Sequence, residues 1–142
     1  MTSSRRADLV EGLLLDLVLF AIGGLLGVIG CFLVPLRLGG GVEGLAIGIA
    51  LIGNFGTGLL GGLGHRSVRS ALAPGLGWFL TVGAISSLAP GGDVIIPGKL
   101  PVDPGVVTVG EAFLILGVAG AIGALAVTAF YTRRPDAPTH SE

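Results

Sequence analysis

The sequence predicts an all-α fold: an integral membrane bundle of four transmembrane helices with both termini in the cytoplasm. Three observations predict this. Apolar segments make up most of the 142 residues, at 13–34, 44–63, 71–88 and 112–130. As a helix, each is long enough to cross the roughly 30 Å hydrocarbon layer at about 1.5 Å per residue. Only 12% of residues are charged, mean hydropathy is +0.92, and the basic residues cluster between the apolar segments.

The first helix is expected at about residues 13–34, after a cytoplasmic lead-in at 1–12. Asp8 and Glu11 favour a helix start, because negative charge is stabilising near a helix N-terminus. Pro35 ends the segment. Arg5 and Arg6, which precede the first apolar segment, resemble part of an export signal. The apolar run is, however, longer than a signal-peptide core, and no A-x-A cleavage site follows it. A retained helix is therefore expected.

The positions of glycine and proline predict the other three helices and the connections between them. The second segment is rich in glycine, which weakens a helix in water but not in lipid, where the backbone has no other hydrogen-bond partner. Pro74 either kinks the third helix or begins its regular part. Prolines between the third and fourth helices predict an extended connection. The expected ranges are helices at 42–63, 69–88 and 107–131, an outer loop at 89–106 and a disordered cytoplasmic tail at 132–142.

The basic residues predict the orientation. Cytoplasmic segments collect Lys and Arg, and along this chain larger and smaller basic groups alternate. Only Arg37 and Lys99 fall in connections expected outside the cell. The other six of the eight basic residues precede the first helix, follow the fourth, or lie in the 64–70 turn. The pattern predicts a multi-pass protein of the cell (plasma) membrane with cytoplasmic termini.

Small residues recur at helical spacing along three of the four segments. Such spacing lets helix backbones approach closely, where dispersion and weak hydrogen bonds hold helices together in lipid. Two interpretations remain open: a tightly packed monomer, or a face for a homo-oligomer or a larger membrane complex. The helix-packing positions predicted in this way are Gly23, Gly27, Gly44, Gly48 and Gly117.

Few polar residues fall inside the apolar segments. Asp16 is interpreted as a carboxylate reaching the cytoplasmic interface, towards Arg66 or Arg69, since charge near a helix end is less unfavourable than charge at the centre. The alternative is a proton or cation site. Asn54 is expected to form an interhelical hydrogen bond. The other candidate polar positions are Thr57, on the same helix face as Asn54, and Glu43 and Glu111 at outer helix starts.

Catalytic chemistry is not indicated. Neither histidine lies in an apolar segment, Cys31 is the only cysteine, and the sequence contains no H-E-x-x-H or phosphate-binding Gly-Lys-Ser motif. No catalytic residue, cofactor or metal site is therefore predicted, and an enzyme is not expected. The net charge of −1 and the absence of a basic patch argue against a nucleic-acid partner.

About half of the chain resembles an uncharacterised family of short four-helix membrane proteins of actinobacteria. The shared elements are G-N at 53–54, A-L-x-P-x-L-x-W at 71–78, G-D-V-I-I-P-G at 92–98 and G-x-x-F-L-x-L-G at 110–117. The outer-loop pattern G-D-V-x-x-P-G is the most specific. The chain departs from the family by an insertion at residues 100–109. The resemblance implies membrane location and topology, but no activity.

Two functions from different classes therefore remain. The first is a small accessory or scaffolding subunit that associates through glycine-rich helix faces. The second is a small dimeric transporter or ion channel that uses Asp16, Asn54 and Glu111. In either case the outer loop, with Asp93 and Pro97, is a candidate docking surface or a lid over the bundle.

Overall fold

The structure, a computed structural model, describes residues 2–34, 42–88 and 109–133. Within these ranges every regular element is helical. The elements are α1 (Thr2–Leu33), α2 (Val42–Gly48), a π-helical segment (Ile49–Gly53), α3 (Asn54–Gly64), α4 (Val68–Leu88) and α5 (Val109–Thr132). Four spans in this part of the chain are long and apolar enough to cross a membrane: Ala7–Leu33, Gly44–Gly64, Val68–Ser87 and Val109–Thr132. The predicted all-α architecture of four long helices is thus confirmed.

α1 begins eleven residues earlier than the apolar segment that predicted it, at Thr2 rather than residue 13. The lead-in is therefore a continuation of the helix. Arg, Ala, Leu and Glu in this stretch are all good helix formers, and no proline interrupts them. The outer connection and the C-terminal tail, predicted at 89–106 and 132–142, lie almost wholly outside the described residues.

The second apolar segment contains a π-helical turn that the sequence did not predict. Its five residues join α2 to α3 without a break. The Leu51 carbonyl of this turn packs against Gly120 of α5, where a Cβ atom would lie only 2.5 Å from the carbonyl oxygen. Because single π turns are rare and often occur at functional sites, this turn is one of the features that define the candidate site.

The contacts between helices fix their relative directions. Gly23 and Gly27 of α1 lie beside Pro74 and Trp78 of α4, so α1 and α4 run parallel. Residues of α3 and α5 also meet in increasing order, since Gly58 lies beside Ala124 and Gly62 lies beside Thr128. Gly75 and Trp78 meet α5 in the reverse order, at Ala121 and Gly117, so α4 and α5 are antiparallel. The start of α1, the α3–α4 turn and the end of α5 therefore lie at one end of the bundle.

A short turn at this end connects α3 to α4. The Ser67 amide donates a hydrogen bond to the Gly62 carbonyl at 3.0 Å, and Arg66 has a positive φ of 47°. This is the Schellman arrangement that usually places glycine in the left-handed position. Ser67 also begins α4, since its hydroxyl accepts a hydrogen bond from the Ser70 amide at 3.4 Å.

Pro74 lies inside α4 and does not begin it. The helix runs from Val68 to Leu88 through the proline, so the interpretation of Pro74 as the first regular residue was wrong. Proline cannot donate to the carbonyl of residue i−4, here Ser70. Gly61 of α3 packs against that carbonyl, and a Cβ atom at Gly61 would lie 2.6 Å from the Ser70 oxygen. A glycine on the neighbouring helix thus lies against the carbonyl group that the proline leaves without its helical donor.

Large apolar side chains lie mostly outside the bundle and small ones inside. Trp78 and Phe113 are the largest fully buried side chains, and their ring centroids are 5.3 Å apart. Around them the interior is built mainly of alanine and glycine. The exposed surface carries leucine, isoleucine and phenylalanine from all four spans, for example Leu17, Ile52, Leu80 and Ile122.

Candidate functional site

Asp16 of α1 is bound by two side chains from the start of α4. Arg69 Nε lies 2.8 Å from Asp16 Oδ2, and Ser70 Oγ donates a hydrogen bond to Asp16 Oδ1 at 2.7 Å. The Asp16 side chain is 14% exposed, whereas that of Arg69 is 70% exposed. The interaction with Arg69 is the one that the sequence interpretation anticipated. Each carboxylate oxygen has a donor, and both donors come from the same turn of α4.

The level of Asp16 along the bundle explains why a carboxylate is tolerated there. Ser70 is the third residue of α4, so its partner Asp16 lies at the end of the bundle. α1 continues past this level for the residues from Thr2 to Leu15, roughly 20 Å of helix. The carboxylate therefore lies at an end of the bundle and not in the middle of its interior, where burying an ionised group is most unfavourable.

A groove between α1 and α4 opens next to this ion pair. Its volume is about 380 Å³. The Asp16–Arg69 pair lies at one end, and the walls are otherwise apolar. The wall residues are Leu13, Leu17 and Phe20 from α1 and Leu72, Ala73 and Leu76 from α4. We refer to this space as the α1–α4 groove.

Asn54 follows the π-helical segment directly and is 1% exposed. Its side-chain amide donates to the Ala50 carbonyl of its own helix at 3.0 Å, and not to a neighbouring helix as predicted. Its Oδ1 atom is buried and has no hydrogen-bond partner among the described residues. Thr57, predicted to share a face with Asn54, donates to the Gly53 carbonyl at 2.6 Å. Both side chains thus donate to carbonyls of the π-helical segment.

Two further buried polar groups were not identified as site residues from the sequence. Trp78 Nε1 and Thr128 Oγ1 are buried without a partner in the described part of the chain. Trp78 packs on Gly117, and Thr128 packs on Gly62 and Ala71. Together with Asn54 Oδ1 they make three such atoms among the described residues, and each belongs to a residue that is at most 1% exposed. A tryptophan or threonine in an apolar helix resembles ordinary packing in sequence, so no pattern marks these two.

The predicted packing glycines divide into two groups. A Cβ atom at Gly23 would overlap the Pro74 carbonyl, one at Gly117 would overlap the Trp78 ring, and one at Gly27 would lie 3.1 Å from the Trp78 carbonyl oxygen. Gly44 and Gly48 differ, because no described atom lies within 4 Å of a Cβ position there. The first group serves helix contacts within the chain. The second makes no such contact in the described part of the chain.

The remaining predicted positions do not join Asp16. Glu43 is the second residue of α2, and Glu111 is exposed in the first turn of α5. Glu111 lies at the opposite end of the bundle from Asp16, roughly 20 Å away by the rise of α4. Asp93 and Pro97 lie outside the described residues. Asp16, Asn54 and Glu111 therefore do not form one cluster.

No group of three or more metal-ligating side chains occurs within residues 2–34, 42–88 and 109–133. The chain matches no known family model, no characterised protein and no solved structure. The resemblance based on the outer-loop pattern stays a prediction.

Proposed function

We propose that this chain is a multi-pass protein of the cell membrane. The observation that carries the proposal is the distribution of side-chain size and polarity across the bundle. Leucine, isoleucine and phenylalanine cover the outside of all four spans, whereas glycine, alanine and the buried polar groups lie inside. Large contiguous apolar surfaces are rare on soluble monomers and are typical of surfaces that contact lipid or another protein.

The proposed orientation places both termini in the cytoplasm. The start of α1, the α3–α4 turn and the end of α5 share one end of the bundle, and Arg66, Arg69 and Arg133 belong to this end. Arg5 and Arg6 precede the same end. The excess of basic residues on cytoplasmic segments supports this side. A cytoplasm-dependent reporter fused after Glu142 should be active, and activity only from a periplasmic or extracellular reporter would reverse the orientation.

Within the membrane we propose an accessory or scaffolding role without catalysis of its own. The hydrogen bonds of Asn54 and Thr57 are local to their helix, and Asp16 has partners on α4. Gly44 and Gly48 of α2 have no described atom within 4 Å of a Cβ position, and we propose that a second helix approaches closely there. The partner is a second copy or a larger membrane complex.

Purification in a mild detergent tests this role. The expected result is a defined oligomer or a stoichiometric complex, and Gly48→Leu is expected to dissociate it while the monomer stays folded. Gly83→Leu is the matched control. Gly83 likewise has no described atom within 4 Å of a Cβ position, but it lies on α4 and outside the proposed contact surface. A folded wild-type protein that is a lone monomer, in membranes crosslinked before extraction as well as in detergent, contradicts the scaffolding role.

The second candidate function is a small dimeric transporter or ion channel. The observation that favours it is the set of interior polar atoms without a partner among the described residues, Asn54 Oδ1, Trp78 Nε1 and Thr128 Oγ1. Of these, Asn54 directly follows the π-helical turn. Flux measurements in reconstituted vesicles test it. If transport falls in Asn54→Ala but not in Asp16→Asn, the interior polar groups and not the ion pair take part in transport. If the wild-type protein carries no flux of ions or small solutes, the transporter function is excluded and the scaffolding role is retained.

A further inference from the structure

The α1–α4 groove combines two surfaces that rarely occur together. One end carries the Asp16–Arg69 ion pair, and the rest of its walls are leucine, phenylalanine and alanine. The charged end lies level with the start of α4, and the apolar walls continue towards the middle of the bundle as far as Phe20 and Leu76. From Arg69 to Leu76 the helix rises roughly 10 Å. A ligand that fits this groove has an anionic or polar head and an apolar chain.

We propose that the α1–α4 groove is a binding site for an anionic phospholipid. Its phosphodiester group binds the guanidinium of Arg69, and one acyl chain lies along the apolar walls. This inference rests on the membrane location proposed above, because only that location places a phospholipid headgroup at the end of the bundle.

The hydrogen bonds of Asp16 orient the arginine for this role. Ser70 holds one carboxylate oxygen, and the other binds Arg69 Nε. Arginine has five N–H donors in a fixed plane, and the Arg69 side chain is 70% exposed. We assign the remaining N–H donors of this guanidinium to the phosphate group, because their planar arrangement suits a phosphate.

The local charge also complements one phosphodiester. Arg69 is balanced by Asp16, and Arg66 in the adjoining turn leaves this end of α4 with one positive charge in excess. An uncharged or zwitterionic headgroup gains less from this excess than an anionic one.

The test is lipid retention by the full chain in detergent, measured by native mass spectrometry with phosphatidylglycerol and phosphatidylcholine as probes. We expect one phosphatidylglycerol to be retained in preference to phosphatidylcholine. Arg69→Gln should lower that preference about fivefold, the effect of one basic residue at a membrane surface. Arg66→Gln is the charge-matched control outside the groove. It should lower the preference less than Arg69→Gln, by about twofold, because Arg66 contributes a screened charge and no hydrogen bond to the phosphate group.

A second pair of variants tests the apolar part of the site without altering charge. Leu76→Trp should fill the groove and reduce retention, whereas Leu80→Trp, on an exposed part of α4 that does not line the groove, should not. This pair also decides the matter if Arg69→Gln fails to fold. Glycerol 3-phosphate, which has the headgroup chemistry but no acyl chain, should not compete with the lipid.

Equal losses in Arg69→Gln and Arg66→Gln would overturn the site in favour of general surface attraction. Equal effects of the two tryptophan variants would overturn the groove as the location of the chain. Competition by glycerol 3-phosphate would show a phosphate site and not a lipid site. Each of these results can occur in a protein that is inserted and oligomeric, so failure here is distinguishable from failure of the proposed scaffolding role.

Discussion

α1 and α4 are neighbouring parallel helices with opposite environments. In the most apolar window of α1, 17% of the residues are buried, whereas the corresponding value for α4 is 44%. The more buried helix contains Pro74, Trp78 and several small or hydroxylated residues, and the less buried one is mostly leucine on its outer face. In a water-soluble bundle the more apolar helix would be the more buried one. The reversed order is the one expected under the proposal that hydrocarbon surrounds the bundle.

The largest expected effect is loss of the central indole. Trp78→Ala should destabilise the protein by about 3–5 kcal/mol, because it removes a fully buried ring and leaves a cavity beside Phe113. Phe79→Ala is the control on the adjacent, 57% exposed position, and it should change stability far less. Denaturant unfolding in detergent measures both. Similar effects of the two substitutions would remove the contrast between the inside and outside of α4.

A leucine on the inner face of α1 should have the next largest effect. Gly23→Leu places side-chain atoms on the Pro74 carbonyl, which belongs to a rigid backbone and cannot move away easily. Destabilisation of about 3 kcal/mol is expected. The matched control is Gly12→Leu, on the same helix where no described atom lies within 4 Å. If both variants unfold at the wild-type midpoint, α1 does not pack on α4 through Gly23.

Loss of the ion pair between α1 and α4 should have a smaller effect. Asp16→Asn is expected to lower stability by about 0.5–1 kcal/mol, since Arg69 is well exposed and solvent screens the pair. The amide can still accept the hydrogen bond from Ser70. Asp8→Asn, an exposed aspartate earlier on α1, is the control. The same unfolding assay should show that high salt reduces the difference between wild type and Asp16→Asn.

An effect of similar small size but opposite sign is expected in the turn that begins α4. Arg66→Gly should stabilise the protein by about 1 kcal/mol, because an L-residue is disfavoured at the left-handed φ of 47°. Arg66→Ala is the control that removes the charge but not the backbone strain. The midpoint of thermal unfolding should rise for the glycine variant only. A rise of equal size in both variants would assign the effect to charge.

The sequence predicted the four helices because length and apolarity determine them. It also anticipated the interaction of Asp16 with Arg69, since a carboxylate near a helix end needs a cationic partner within reach. It did not predict the π-helical turn at Ile49–Gly53, whose Leu51 carbonyl packs against Gly120 of another helix. No local pattern encodes such a contact.

The spacing of the glycines predicted which residues share a helix face, but not which of these faces contacts another helix. Gly23, Gly44 and Gly117 belong to equivalent small-residue patterns, yet only Gly23 and Gly117 meet another helix within the described residues. Spacing places residues on a face of a helix, whereas the fold decides what that face contacts. The unpaired buried atoms of Trp78 and Thr128 likewise depend on neighbours from other helices.

Contact of the outer helix faces with lipid is tested most directly by spin labels in reconstituted vesicles. Labels at Leu25, Ile52, Leu80 and Ile122, one on each exposed span face, are introduced in a Cys31→Ala background. High accessibility to oxygen and low accessibility to a water-soluble nickel complex are expected at all four positions. High accessibility to the nickel complex at these positions would contradict a bundle surrounded by hydrocarbon.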